Sequence, residues 1–273
     1  MSDTSRPLPF LPAARGIFGL ALDGMVWSRR SLLMAILLGL PVVFAALYRL
    51  SPLLDIPLRI PGFQVYGTIV SLYYVRAVVL PGVLPLAALF YATALVADEV
   101  EDRTITYLLT RPVRRSSILV GKFAAYMVTT LALSLPPLVV SFFALASAGG
   151  GPGVGALAPH LFRDMGVVAL TLLAYGALFT LLGTALRRPL ILGLLFLFLW
   201  ELVSNVAGYM PRLTLAGYLR SLVSYRPPEE GFAALFGQVL PTALCLEVLG
   251  IASLAFLAAA AWIFSQKEFV LDQ

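Results

Sequence analysis

One cysteine, Cys245, and one histidine, His160, stand in a chain of 273 residues. A single thiol excludes any intrachain disulfide, and one imidazole among scattered methionines leaves no ligand cluster for a structural metal. Charge is scarce too, at 12% of residues, against 60% hydrophobic residues and a mean hydropathy of +0.93. That balance excludes an ordinary soluble domain and indicates a polytopic membrane protein. The sequence holds no basic patch interleaved with aromatics, so nucleic acid is not a partner. Nor does it hold a Ser/His or paired-carboxylate cluster, which disfavours a lipid-modifying enzyme.

What the chain has in abundance is long apolar runs. A bilayer core needs about 20 apolar residues per spanning helix. Six stretches qualify: Leu32–Leu50, Ala77–Ala97, Ile118–Ala148, Leu161–Leu186, Pro189–Tyr209 and Pro241–Phe264. They leave little chain for a separate soluble domain, so residues 1–273 read as one all-α transmembrane domain with six spans. Residues 1–31 form a leader in which Phe10–Ser28 is a candidate interfacial helix, although Ile17, Phe18, Leu20 and Val26 fall all round its wheel. The first apolar run follows Arg29-Arg30 directly and has the length of a full span, which marks a retained anchor rather than a cleaved signal. With the N-terminus inside, twelve of the 19 Lys and Arg residues fall on the inner side. Both termini are therefore expected to be cytoplasmic, and the formal charge of +5 is explained by contact with anionic inner-leaflet lipids.

The spans are irregular. Pro81 and Pro85 lie in the second and Pro136-Pro137 in the overlong third, where a missing N–H and a ring clash predict bending. The Gly149–Gly155 run reads as a flexible turn. Arg187-Arg188 leaves so little chain between spans four and five that they must form an antiparallel hairpin. Gly176, Thr180 and Thr184 recur every four residues in span four, a small-residue face suited to close internal packing. Residues Pro211–Leu240 are too polar for a crossing and predict one or two short helices on, or dipping into, the outer face.

Carboxylates at membrane depth are costly and are paired, wet or functional. Glu201 lies twelve residues past Pro189, roughly 18 Å along a helix at about 1.5 Å per residue, and Ser204 and Asn205 continue a polar stripe on its face. Two readings stay open: a substrate- or proton-facing group in a central pathway, or a hydrogen-bonded glutamate joining helices. Glu247, near the outer end of span six, is a weaker candidate of the same kind.

Charge is concentrated in one place, Asp98 to Lys122, with four acids and five bases between two apolar runs. Thr104 is a suitable N-cap, and the acids before it favour the positive end of a helix dipole. A short helix Ile105–Thr110 would end before Pro112, since the residue preceding proline is pushed out of the α region. It would lie across the inner membrane face with Tyr107, Leu108 and Leu109 available to insert into a partner, or rest on headgroups as a solvated loop. Gly121-Lys122 is not a phosphate loop, because Phe123 replaces the required Ser/Thr and Ser116 stands where the first glycine belongs.

The pattern Glu99-x-Glu101-x-x-Thr104-x-x-x-Leu108-Leu109-x-x-Pro112-Val113-x-Arg115-x-x-Ile118-Leu119-x-Gly121-Lys122 closely resembles the signature of type-2 permease subunits of ATP-binding-cassette transporters. The whole chain is similar to them in layout, and in particular to small permeases grouped with sodium or drug efflux and with maturation of a copper enzyme. The resemblance implies that residues 98–122 carry a cytoplasmic coupling helix, with Glu99, Glu101, Arg103, Thr104, Tyr107, Leu108, Leu109 and Pro112 contacting a separate ATPase. It implies a non-catalytic membrane subunit that binds no cofactor itself, with ATP and magnesium on two ATPase copies. It also implies a second permease copy or homologue, a bacterial-type cytoplasmic membrane and export by alternating access. The alternative is a membrane assembly or mechanotransmission factor acting on an outer-face protein through residues 211–240.

Overall fold

The computed structural model describes residues 10–26, 29–50, 75–101, 115–146, 154–200, 210–223 and 240–266, and every regular element among them is helical. The helices are α1 (Phe10–Val26), α2 (Arg29–Leu50), a π-helical stretch (Val75–Val83) running into α3 (Leu84–Glu101), α4 (Arg115–Ala146) and α5 (Val154–Ala185). After these come α6 (Pro189–Leu199), a 3₁₀ turn (Met210–Leu213), α7 (Leu215–Leu222) and α8 (Thr242–Gln266). Three segments are long and apolar enough to cross a membrane, Ser116–Ala146, Gly155–Ala185 and Thr242–Gln266. The shorter apolar helices Ser31–Leu47, Val79–Leu95 and Pro189–Leu199 fall where three further spans are expected.

Two irregularities follow from proline. The distortion expected at Pro81 takes the form of the π-helical stretch Val75–Val83, which widens the turn, and regular α geometry resumes at Leu84 with Pro85 in the tolerant first turn. By contrast α4 remains one continuous helix through Pro136 and Pro137. α5 begins at Val154, seven residues earlier than the hydropathy edge at Leu161, and takes Pro159 into its second turn. The tight link after α5 is as expected: Leu186 N–H donates to Leu182 O at 2.9 Å, and Pro189 opens α6 at the position where its missing N–H costs nothing.

α5 is the axis of the bundle, packed by α3, α4, α6, α7 and α8, with 61% of its spanning window buried against 22% for α8. Its small face is internal: Gly176, Thr180 and Thr184 are all buried, with the Tyr126 ring of α4 seated over Gly176. The outer helices are attached by narrow stripes. α2 buries Ser31, Met34, Leu38 and Ala45, while Leu32, Leu33, Ile36, Leu40, Val43, Phe44 and Leu47 are exposed. α8 buries Cys245, Leu249, Ser253, Ala260 and Phe264 and turns Ile251 and Leu254 outward at 69% and 70% exposure. Apolar faces of this extent are untenable in water and ordinary in lipid. Hydroxyls within the helices bond back along the chain: Thr93 to Leu89 O, Thr130 to Tyr126 O, Thr180 to Gly176 O and Ser253 to Leu249 O, at 2.6 to 2.8 Å. Such internal bonding satisfies polar groups where no water is at hand.

Candidate coupling site at the ends of α3 and α4

α3 ends at Glu101 and α4 begins at Arg115, so residues 102–114 join them at one end of the bundle. Of the residues assigned to coupling, Glu99 and Glu101 lie on the last turn of α3. Arg103, Thr104, Tyr107, Leu108, Leu109 and Pro112 lie outside the described residues.

The signature's last two residues lie in the second turn of α4. Consecutive residues of a helix point about 100° apart, so Gly121 and Lys122 face different neighbours. Gly121 faces α1, where a Cβ would meet the Ala14 carbonyl at 2.6 Å and the Ile17 Cβ at 3.3 Å. Only glycine allows α1 this close. Lys122 faces α3 and is buried, with Nζ donating to the Leu95 carbonyl at 2.6 Å. Leu95 sits less than two turns from the end of α3. The carbonyl keeps its place in the α3 ladder, because its oxygen has two lone pairs.

A second polar chain ties α3 to the α1–α2 junction. Tyr91 OH donates to Ser31 Oγ at 2.7 Å, and Ser31 Oγ donates to the Met25 carbonyl at the end of α1. Ser31 and Tyr91 are both buried. α6 and α5 close on the same layer: Gly193 leaves room for the Leu89 side chain, and Gly183 lies under the Thr93 backbone, where a Cβ would stand 3.1 Å from its carbonyl.

Of the candidate pathway residues, Glu247 is the one that falls among the described residues. Glu201, Ser204 and Asn205 lie outside the described residues. Glu247 is in the second turn of α8 and exposed, beside exposed Leu246 and off the buried stripe of Cys245 and Leu249. A cavity of about 10 Å³ lies between α2, the π-helical stretch, α3, α4 and α5, with Ser134 as its polar lining residue. It has space for about one water. Among the described residues no group of His, Cys, Asp or Glu could hold a metal ion.

Sequence reading missed several features. The Lys122–Leu95 and Tyr91–Ser31 contacts span 27 and 60 residues, and only the presence of a lysine, a tyrosine and a serine inside apolar runs hinted at them. Asp164, near the opposite end of α5, is 1% exposed and went unremarked although it lies inside the predicted fourth span. Its neighbour Arg163 donates through Nε to the Leu222 carbonyl at 2.8 Å, holding the C-terminal end of α7 against α5. α7 is one of the short helices expected within 211–240, with Thr214 as N-cap accepting from Gly217 N–H at 3.2 Å.

A search of the curated proteins returns no match. The family profile described as "ABC-2 family transporter protein" matches residues 53–269, most of the chain and all of α3 through α8. With its helices apolar and its signature at the joined ends of α3 and α4, the chain belongs to the ABC-2 transporter family, as a membrane permease component of an ATP-binding-cassette transporter.

Proposed function

We propose that this chain is the six-span permease of an ATP-driven exporter, with both termini cytoplasmic in a bacterial-type cytoplasmic membrane. It works as a pair, with itself or a homologue, on two copies of a separate ATPase that hold ATP and magnesium. Tyr107 and Leu108 insert into a groove of the ATPase as buried anchors, Leu109 packs beside them, and Glu99, Glu101 and Arg103 set register. Thr104 starts and Pro112 stops the docking helix.

The observation that carries this reading is the bond from Lys122 to the Leu95 carbonyl, which fastens together the two helices on either side of residues 102–114, inside the span that the family profile matches. A docking segment needs such a base if ATP-driven closure of the ATPases is to move the spans. Export would proceed by the spans rocking between inward- and outward-open states. Glu201, Ser204, Asn205 and Glu247 are the residues proposed to line the route.

The test is Tyr107→Ala combined with Leu108→Ala in the complex purified from native membranes. The double variant should insert normally yet lose the co-purifying ATPase. Normal recruitment and normal stimulation of ATP hydrolysis would remove residues 104–110 from the coupling role.

A further inference from the structure

Ser134 on α4 departs from the way hydroxyls are satisfied in the neighbouring helices. Thr93, Thr130, Ser141 and Ser253 each donate to the carbonyl four residues earlier. Ser134 is 5% exposed, and its Oγ has no hydrogen-bond partner among the described residues. It lines the cavity of about 10 Å³, whose other walls are apolar and come from α2, the π-helical stretch, α3, α4 and α5. Ser134 also lies close to the middle of the spanning segment Ser116–Ala146, at a depth where bulk water does not reach. A buried hydroxyl left unbonded there is costly.

A main-chain group on the same face has the complementary need. Pro137, another residue lining the cavity, sits inside continuous α4 and has no N–H to give to the Leu133 carbonyl four residues earlier. Ser134 and Pro137 are three residues apart and share a helix face. Carbonyls run along the helix axis toward the residue four positions on, so the Leu133 oxygen points up that face toward Pro137. The carbonyl of Pro137 itself is taken, accepting from Ser141 Oγ at 2.7 Å. We propose that the cavity is a binding site for a single water molecule, which accepts from Ser134 Oγ and donates to the Leu133 carbonyl in place of the missing Pro137 N–H. Two polar partners and a space of this size meet what a buried water requires. A larger polar ligand does not fit, and an apolar one leaves both groups unbonded. The water also accounts for α4 remaining one helix through both prolines, because the carbonyl that Pro137 strips of its donor is satisfied in place. The site depends on the fold and not on the permease reading.

The probe is water itself. The full chain, purified from native membranes into lipid nanodiscs, is exposed to short X-ray pulses, and oxidation by hydroxyl radicals formed from water in place is located by mass spectrometry. Leu84 and Leu138 line the cavity and are 0% and 5% exposed. Leu89 and Leu145, buried on the same two helices away from it, serve as references. In the parent, Leu84 and Leu138 should oxidise well above Leu89 and Leu145. Ser134→Ala should lower that oxidation about fivefold, the loss that one neutral hydrogen bond carries. Val83→Leu adds a methylene to the cavity wall and keeps the hydroxyl, and it should lower the oxidation as well. Equal oxidation of all four leucines in the parent would overturn the proposal, since it marks either general penetration of water or none. Parental oxidation of Leu84 and Leu138 in Ser134→Ala or in Val83→Leu would overturn it too.

Discussion

Tyr126 on α4 donates its hydroxyl to the Leu172 carbonyl of α5 at 2.9 Å, and Gly176, one turn further along α5, leaves the space that its ring fills. A Cβ at Gly176 would overlap the ring edge and lie 2.6 Å from the hydroxyl oxygen. Gly176→Ala should therefore cost about 1–3 kcal/mol as an overpacking change. Tyr126→Phe, which removes one hydrogen bond and little volume, should cost about 1 kcal/mol or less. Reversible unfolding in mixed detergent measures both. A smaller loss for the glycine variant than for the tyrosine variant would contradict the packing.

Gly121→Ala should act locally on α1. Its new methyl meets a backbone oxygen, the Ala14 carbonyl, which cannot swing aside as a side chain can. α1 should lift away from α4, seen as faster hydrogen exchange over residues 10–26 with little change in α5. Unaltered exchange in α1 would mean that the close approach is not needed.

Orientation can be tested chemically. In a Cys245→Ser background, Asp55→Cys, His160→Cys and Glu229→Cys should react with an impermeant maleimide on intact cells, whereas Tyr107→Cys and Arg187→Cys should react only after permeabilisation. His160 and Arg187 are both exposed at opposite ends of α5, so access to the reagent is decided by side rather than by packing. The reverse pattern would invert the topology.

Glu201→Gln keeps hydrogen bonding and removes titration. If Glu201 lines the route, the variant should fold, recruit the ATPase and lose the pH dependence of transport. If transport is unchanged and Glu201→Leu unfolds the protein, the residue joins helices instead.

Much of the helix layout was legible because it depends on short-range chemistry. Runs of apolar residues located α2, the π-helical stretch together with α3, α4 and α8 to within a few residues, and Arg187-Arg188 before Pro189 located the α5–α6 turn. The small face of Gly176, Thr180 and Thr184 was rightly assigned to internal packing, since small side chains at every fourth position let another helix approach. Which helix approaches was not legible. In lipid both faces of a helix are apolar, so hydropathy does not separate the stripe Ser31, Met34, Leu38 and Ala45 from the exposed Leu33 and Ile36. The partners of Lys122 and Tyr91 were hidden for the same reason. Gly121-Lys122 was rejected as a phosphate loop on its neighbours, but nothing nearby announced that the pair would face two different helices.

The acceptors in three cross-links between helices are main-chain oxygens: Leu95 for Lys122, Leu172 for Tyr126 and Leu222 for Arg163. Such an acceptor survives any substitution that leaves its helix in place, so each contact has one heritable half. A genetic screen for compensation of a Lys122 defect would find nothing at position 95 and should instead return changes that bring α3 and α4 together by packing. Paired variation between positions, the usual sign of touching residues, is likewise blind to these contacts, because one member of each pair has no side chain in the bargain.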